Sequence, residues 1–507
     1  MPDLSWTRPR NPVRTGLATV AGWLGAPAAE GSTDVQVTGL SLSSQRIVPG
    51  DLYTALPGAR AHGASYAAQA VAGGAVAVLT DAAGASLVSG AVPVLVVERP
   101  RAVLGDLAAR IYGRPADALT LIAVTGTQGK TTTTRLAEAG MQVAGIPAAV
   151  IGTVGTRIGG QDVKTALTTP EAPDLHALFA VMRERGVTAC AMEVSSHALV
   201  MGRVDGVVFD VAAFTNLGRD HLDFHKDVED YFAVKASLFT PERASRGLVN
   251  IDDAHGRRLV DQATIPIRTF STAGADADWR AVDIALAPEG ATFVVEGPGG
   301  LSFAARVPLA GDFNVSNALC AVASAGEAGL DAAAVADGIG ASDGVPGRLE
   351  RIDRGQDWLA IVDYAHKPDA VAAALHALRA ITAGRLIVVI GAGGDRDRGK
   401  RPLMGEIAGR LSDVLIVTDD NPRTERPEDI RAEVLAGIPA GAPATVHEVG
   451  GRKAAIALAV EQAGPGDTVL VAGKGHETGQ EIDGVVHPFD DREVVRELIG
   501  QRNRAPR

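Results

Sequence analysis

Four polar loops, each placed against an apolar run, constrain this chain more than any other feature: GTQGKTT at Gly126–Thr132, MEVSSH at Met192–His197, TDDNPR at Thr418–Arg423 and GKGHE at Gly473–Glu477. In an open α/β sheet ligands gather outside the carboxyl ends of the strands, so loops placed there can converge on shared sites. The chain has 507 residues, enough for three or four domains at about 150 residues each, with ample core. Its formal charge of −12 is spread over a large protein and its basic residues form no dominant run, which argues against nucleic acid as a partner. Cys190 and Cys320 sit inside apolar stretches and read as small buried hydrophobes, with no disulfide framework. The stretch Leu17–Ala29 follows several arginines as a leader would, but Gly and Thr dilute it, and Leu17, Val20, Ala21 and Leu24 fit one helical face. No apolar run reaches the length of about 18 residues that a membrane span needs, so no membrane insertion is expected, and the protein is expected in the cytoplasm.

Along the chain the organisation is α/β throughout. The Pro- and Arg-bearing start, Pro2–Arg14, reads as mobile, and Val35–Thr80 mixes short strands with turn signals such as Pro49-Gly50-Asp51. Near Arg114-Pro115 the pattern changes to a clean βα succession: Leu119–Val124 as strand, the Gly-rich loop, then helix from Thr131. Thr292–Glu296 and Leu301–Val307 flank Gly297-Pro298-Gly299-Gly300 as a hairpin, and Asn314–Ala325 reads as a helix. Asp343–Gly347 suits a linker. Beyond it Trp358–Val362, Arg385–Ile390, Val414–Thr418 and Thr468–Val471 are apolar strands separated by helical segments, the pattern of a doubly wound sheet. The expected domains are 1–116, 117–345 and 346–507: an N-terminal α/β domain, a central P-loop domain and a C-terminal Rossmann-like domain.

The Gly126–Thr132 loop carries the firmest chemistry. Gly126 and Gly129 let backbone N–H groups approach a polyphosphate, Lys130 supplies a point charge, and the Thr131 hydroxyl is placed to hold Mg²⁺. The helix that follows adds the attraction of its N-terminus. The spacing is a shortened variant of the usual phosphate loop, which has four residues between its glycines. Glu193 ends an apolar run where a carboxylate could reach the same metal, and His221, in Phe214–His225, is a possible ligand for a second.

The runs GTQGKTT, MEVSSHAL, FTNLGRDHLD, GDFNVSNAL, GRLE and DYAHKPDA, in this order over nearly the whole chain, resemble the ATP-dependent Mur ligases of peptidoglycan synthesis. Within that family TTPEAP, GAGGDRDRGKRPLMG, TDDNPR and GKGHE are similar to the members that add meso-diaminopimelate to UDP-N-acetylmuramoyl-L-alanyl-D-glutamate. The resemblance implies that Gly126, Thr127, Gln128, Gly129, Lys130, Thr131 and Thr132 hold the ATP phosphates, that Glu193 with Thr131 holds one Mg²⁺, and that His221 faces a second. Lys235 matches the family's carbamylated lysine, in which CO₂ turns an amine into a carboxylate-like anion. That chemistry needs a neutral amine first, hence a depressed pKa.

The resemblance further implies that Asn314, Asn317, Arg348, Asp363 and His366 flank the nucleotide, although an Asn in a helix can equally bond a neighbour. Thr168, Thr169, Ser195 and Arg203 match positions for the sugar-nucleotide dipeptide, with Leu42 and Ser44 near its uridine end. Ser43-Ser44-Gln45 and Met201 depart from the family's frequent Asp-Ser-Arg and Gln, and Gln128 from its Asn or Ser. For the incoming amino acid, Arg423 offers a planar fork to the second carboxylate of meso-diaminopimelate, which a lysine substrate lacks. Arg396 supplies another guanidinium, Asp420, Asn421 and Pro422 precede Arg423, and Gly473 and Glu477 match binders of the distal ammonium.

The implied reaction transfers the ATP γ-phosphoryl group to a substrate carboxylate, after which an amine attacks the acyl phosphate. Both steps build negative charge, which Lys130, Mg²⁺ and the Lys235 carbamate would screen. A monomer acting on small molecules is expected. The alternatives are another ligase of the superfamily, such as a folylpolyglutamate synthetase or a lysine-adding Mur ligase, and a P-loop NTPase that only switches conformation.

Overall fold

The structure, a computed structural model, describes residues 6–27, 34–89 and 92–504. The chain forms two compact units. One runs to Arg280 and includes Glu296–Leu301 and Leu319–Gly338, and the other comprises Ala281–Val295, Ser302–Ala318 and the chain from Ile339 on.

In the first unit four short strands, Gly39–Ser41, Asp51–Thr54, Ala77–Thr80 and Val94–Val96, pair in parallel and in chain order. Every residue of the first three is buried, as expected of a parallel sheet covered on both faces. Leu17, Val20 and Ala21 of the helix Leu17–Leu24 join this core, with Leu24 packed at its edge. That helix ends because Gly25 turns into the left-handed region at φ +61°, a common C-terminal cap. Ala28 and Ala29, the end of the leader-like stretch, lie outside the described residues.

The expected mobility of Pro2–Arg14 fails from Trp6 on, while Pro2–Ser5 lie outside the described residues. The Arg185 guanidinium covers the Trp6 ring at 3.2 Å. Arg8 donates to the Leu40 carbonyl at 3.0 Å, bonds the Tyr112 hydroxyl, and pairs with the buried Asp51 at 3.4 Å. Releasing it would leave that carboxylate buried and unpaired, which is costly. Charge that reads as surface decoration in sequence is here a buried anchor.

The larger sheet of this unit runs in the order Gln161–Val163, Gly155–Ile158, Ala148–Gly152, Ala189–Glu193, Thr120–Thr125, Val211–Phe214, Gly247–Asn250 and Ile267–Ser271. From Ala148–Gly152 onward the neighbours are parallel. The two outer strands form antiparallel pairs. Thr120–Thr125 therefore lies between Ala189–Glu193 and Val211–Phe214, and the three carboxyl ends open side by side. Cys190 and Cys320 are buried free thiols, and burial pushes the Cys320 thiol up to about 12.

The strands Gly290–Gly297 and Leu301–Val307 flank a turn at Pro298–Gly300, and a helix spans Asp312–Glu327. The second unit is built on a six-stranded sheet in the order Glu350–Arg351, Leu359–Asp363, Thr468–Ala472, Leu386–Ile390, Val414–Val417 and Thr445–Glu448, parallel except for the first pair. Side chains alternate along each strand. Val388, Ile390, Leu415, Val417 and Leu470 pack with Leu375, Leu378 and Met404. Ile387, Val389, Ile416, Val469 and Val471 pack with Ile456, Val495 and Ile499. Helices cover both faces, so the sheet is doubly wound as its continuous apolar runs predict.

Two helices of this unit begin on one buried ion pair. Arg452, the first residue of Arg452–Gln462, donates through Nε and Nη2 to Asp491, the first residue of Asp491–Arg504, both at 2.7 Å, and neither side chain is exposed. Arg452 also donates to the carbonyls of Ala472 at 2.9 Å and Asp419 at 3.3 Å, which ties it to two loops at the carboxyl edge. Asp491→Ala leaves a buried guanidinium uncompensated and is expected to cost about 3–5 kcal/mol, measured by denaturant unfolding of the full chain. A change under ~1 kcal/mol would show that the pair is not the anchor.

Candidate active site

The Thr120–Thr125 strand delivers the chain into Gly126 at φ +147°, where a Cβ would lie 2.0 Å from the Thr215 hydroxyl. Only glycine fits that space and that backbone. Gly129, at φ +85°, turns the chain into the helix Lys130–Val143. The neighbouring strand braces the loop: the Thr215 hydroxyl donates to the Gln128 carbonyl at 2.6 Å, and the Gln128 N–H donates to Asn216 Oδ1 at 2.9 Å. The Thr127 N–H donates to the Asn216 carbonyl at 2.9 Å. Gln128 takes part here through its backbone. Thr215 and Asn216 carry no expected role in the sequence, because their bonds join segments far apart in the chain.

Two lysines converge on this turn. Lys130 Nζ donates to the carbonyls of Gly126 at 2.8 Å and Thr127 at 3.0 Å. Lys235, from the helix Val228–Ala236, donates to the same Gly126 carbonyl at 2.8 Å and lies 4.6 Å from the Tyr231 ring centroid. Lys235 is 1% exposed. Burial, and secondarily the charge of Lys130, hold its amine well below the ordinary lysine range. Thr131 and Thr132 are buried in the first turn of the loop's helix.

Glu193 ends its strand in register with Val124, two positions before Gly126. Its carboxylate is buried and accepts from the Thr153 N–H at 2.7 Å and the Thr153 hydroxyl at 3.1 Å. Thr168 and Thr169 gather around it: the Thr168 hydroxyl is 3.1 Å from that of Thr153, and the Thr169 hydroxyl donates to the Glu193 carbonyl at 2.8 Å. The Ser195 N–H donates to Thr169 Oγ1 at 3.3 Å, while the Ser195 hydroxyl caps the helix Ser196–Val200. Arg203 donates to Glu171 at 2.9 Å, and Arg101 donates to the other oxygen of Glu171 at 3.0 Å. Glu171 lies inside the TTPEAP run but carried no expected role, and it is the acid that orients two guanidiniums.

His221 sits in the left-handed region at φ +53°, beside the Asp220 carboxylate at 3.4 Å. Its ring meets His197 edge-on at 4.9 Å, and His197 stacks on Phe224 at 3.9 Å. Among the described residues no group of three His, Cys, Asp or Glu side chains is placed to hold a metal. Mg²⁺ does not need such a cage, since it is commonly held by one or two carboxylates together with substrate phosphates and water. Glu193 and the Thr131 hydroxyl are oxygen donors of that kind. Leu42 packs against the core of the N-terminal sheet, and the Ser44 hydroxyl bonds Gln69 at 2.9 Å.

In the second unit Asn314 donates to the Ala310 carbonyl at 2.7 Å and Asn317 to Asn314 Oδ1 at 3.0 Å, so each makes the neighbour bond open to a helical Asn. Asp363 accepts from the N–H groups of Leu349 and Ala365, both at 2.7 Å, and burial raises its pKa. The Arg348 guanidinium lies 4.6 Å over the Tyr364 ring. His366, 4.6 Å from that ring, is pushed down to about 4 by burial and is neutral near pH 7.

The TDDNPR loop is folded onto the loop Gly473–Glu477. A Cβ on Gly473, at φ +119°, would meet Asp420 Oδ2 at 2.6 Å. The fully buried Lys474 donates to Asn421 Oδ1 at 3.2 Å and Glu477 Oε2 at 3.0 Å, and Asn421 donates to the same Glu477 oxygen at 3.0 Å. Arg423 donates from Nη1 to the Gly394 carbonyl at 2.6 Å and from Nε to Glu481 at 3.1 Å. Arg396 is exposed and borders Gly393, where a Cβ would lie 3.7 Å from its Cγ and 3.1 Å from Arg423 Nη1. The structure thus brings Asp420, Asn421, Pro422, Arg423, Gly473, Glu477 and Arg396 to one carboxyl edge of one sheet. Lys474 and Glu481 carried no expected role, although Lys474 stands inside a quoted run.

Three family models tile the chain: the Mur ligase family catalytic domain matches residues 36–112, the Mur ligase middle domain 124–325, and the Mur ligase glutamate ligase domain 347–475. A protein of Streptomyces avermitilis named UDP-N-acetylmuramoyl-L-alanyl-D-glutamate--2,6-diaminopimelate ligase is 56% identical over 499 residues, covering 97% of this chain and 98% of its own. One of the same name from Corynebacterium glutamicum is 51% identical and covers 94% of each chain. A solved structure of a ligase so named superposes with a TM-score of 0.67 at 37% identity, covering 93% of this chain and 96% of its own. With all three of its family's domains in order and such relatives over nearly its full length, the chain belongs to the Mur ligase family.

Proposed function

We propose that this chain is an ATP-dependent ligase that joins meso-diaminopimelate to the D-glutamyl carboxylate of UDP-N-acetylmuramoyl-L-alanyl-D-glutamate, a step of peptidoglycan precursor synthesis. The observation that carries the choice of amino acid is Arg423: its guanidinium is fixed beside Arg396, on the same edge as Glu477. A second carboxylate suits the guanidinium fork, and the ammonium of the same centre suits Glu477 Oε1, which has no protein partner among the described residues. Lysine as substrate would leave Arg423 unanswered. The name borne by relatives more than 50% identical supports the same substrate.

The domain boundaries that fit this reading are 1–116, 117–345 and 346–507. The loop amides of Gly126–Thr132 hold the phosphates, and Lys130 offsets charge that develops on the γ-phosphoryl group in transfer. Thr131, Glu193, His221 and a carbamate on Lys235 would hold Mg²⁺, which supplies charge neutralisation. Lys235 supports the carbamate because its burial favours the neutral amine, the form that adds CO₂. Asn314, Asn317, Arg348, Asp363 and His366 are assigned to the nucleotide. Thr168, Thr169, Ser195 and Arg203, with Leu42 and Ser44, are assigned to the sugar-nucleotide dipeptide. A monomer acting on small molecules fits this reading. No described helix is long and apolar enough to cross a membrane.

Phosphate release from ATP, with the dipeptide substrate present, is expected to rise strongly on adding meso-diaminopimelate and weakly on adding L-lysine. Equal stimulation by lysine would remove the amino-acid assignment and leave the ligase, whereas stimulation by neither would remove the substrate assignment. Lys130→Ala is expected to lower ligation by about 100-fold or more, the scale of one lost electrostatic stabiliser at a transition state. For Lys235→Ala, loss of activity with partial return on adding short carboxylic acids is expected, and full activity without them would exclude the carbamate.

A further inference from the structure

Arg423 has a non-glycine backbone at φ +52°, in the left-handed region. Such a conformation is unfavourable for a residue with a side chain and persists only where surrounding structure over-determines it. That structure is a two-stranded hairpin, Gly479–Ile482 with Val485–Pro488, whose strands pair with each other and not with the six-stranded sheet. The Arg423 N–H donates to the Glu481 carbonyl at 3.0 Å, and the Asp483 N–H donates to the Arg423 carbonyl at 2.8 Å. The Glu481 N–H donates to Asn421 Oδ1 at 2.9 Å, and the Gln480 side chain donates to the Asp420 carbonyl at 2.5 Å. Every residue from Asp420 to Arg423 except Pro422 is thereby stitched to the hairpin.

The side chains continue the pattern. Glu481 takes the Nε edge of the guanidinium and Gly394 takes one N–H of Nη1. Of the five N–H donors of an arginine, two are used, and among the described residues the other three have no protein partner. They are one N–H of Nη1 and both of Nη2, one of which shares the Nε edge with Glu481. A carboxylate on the Nε edge closes the side-on approach and leaves the end-on one, so the hairpin decides which face of Arg423 a ligand meets.

We propose that Glu481 is a positioning residue for amino-acid selection, holding Arg423 so that its terminal fork receives the second carboxylate of the incoming amino acid. This rests on the reading of meso-diaminopimelate as substrate. Glu481 does not touch the substrate. Its carboxylate lies at the Nε edge of the guanidinium, next to the fork, where it fixes the orientation of the fork and preorganises it before the ligand arrives.

The test compares wild type with Glu481→Gln and Glu481→Ala in tripeptide formation at saturating ATP and UDP-N-acetylmuramoyl-L-alanyl-D-glutamate, with thermal melting as a check on folding. The Gln variant keeps an acceptor for Nε and the Ala variant keeps none. The KM for meso-diaminopimelate is expected to rise about tenfold in Glu481→Ala and less in Glu481→Gln, the scale of one charge-assisted hydrogen bond. kcat at saturating amino acid and the KM for the nucleotide substrate stay within about twofold of wild type on the same reasoning. Any turnover of L-lysine, which lacks the second carboxylate, is unaffected. An unchanged or lowered KM for meso-diaminopimelate in both well-folded variants overturns the proposal, as does a parallel fall in every kinetic constant. Wild type that forms no product with meso-diaminopimelate overturns the substrate reading itself, and the proposal with it.

Discussion

The carbonyl of Gly126 receives two lysine side chains, Lys130 and Lys235, and the first unit is arranged around that convergence. Two ammonium groups on one acceptor repel each other, and burial disfavours charge on the deeper one. Lys235 is the deeper, so the amine that gives way is the one carried by the helix Val228–Ala236. The glycine at 126 is required because its backbone opens toward Thr215 with no room for a side chain. Thr215 and Asn216 then hold the loop from the adjacent strand. Strand order, a glycine without substitute and a buried amine form one connected constraint, and Glu193 enters it by ending the strand on the other side.

The second unit solves a different problem with similar means. Its strands are plain apolar runs, and chemistry is confined to loops at their carboxyl ends. Those loops are held by buried charge: Arg452 reaches the Asp419 and Ala472 carbonyls from its pair with Asp491, and Lys474 bridges Asn421 and Glu477. The fully buried Arg401 binds Glu425 through both terminal nitrogens and reaches the Gly393 carbonyl at 3.0 Å. Guanidiniums inside the fold fix the loops, while Arg396 and Arg423 lie nearer the surface of the same edge.

What was legible in the sequence follows from this division. Apolar strands with polar loops at their ends show as local patterns, so the phosphate loop, the six-stranded sheet and the TDDNPR and GKGHE runs could be placed from residues alone. Contacts between distant segments leave no such trace. Thr215 on Gln128, Glu171 between Arg101 and Arg203, and the hairpin bearing Glu481 exist only once strand order is known. Arg8 misled in the other direction, since an arginine near a chain start reads as solvated and is here paired with a buried aspartate. The side-chain amides of Asn314 and Asn317 bond the Ala310 carbonyl and Asn314 Oδ1, contacts within one helix turn that a motif does not reveal.

In the proposed reaction, phosphoryl transfer to a substrate carboxylate precedes amide formation. This order is tested most directly by labelling the D-glutamyl side-chain carboxylate of the dipeptide substrate with oxygen-18 and following the label through turnover with ATP and meso-diaminopimelate. Transfer of one labelled oxygen to inorganic phosphate per amide formed is the predicted result, because the acyl phosphate keeps that oxygen when the amine expels phosphate. Phosphate released without label, at a rate matching product formation, would contradict the acyl-phosphate route and with it the role assigned to the loop around Gly126.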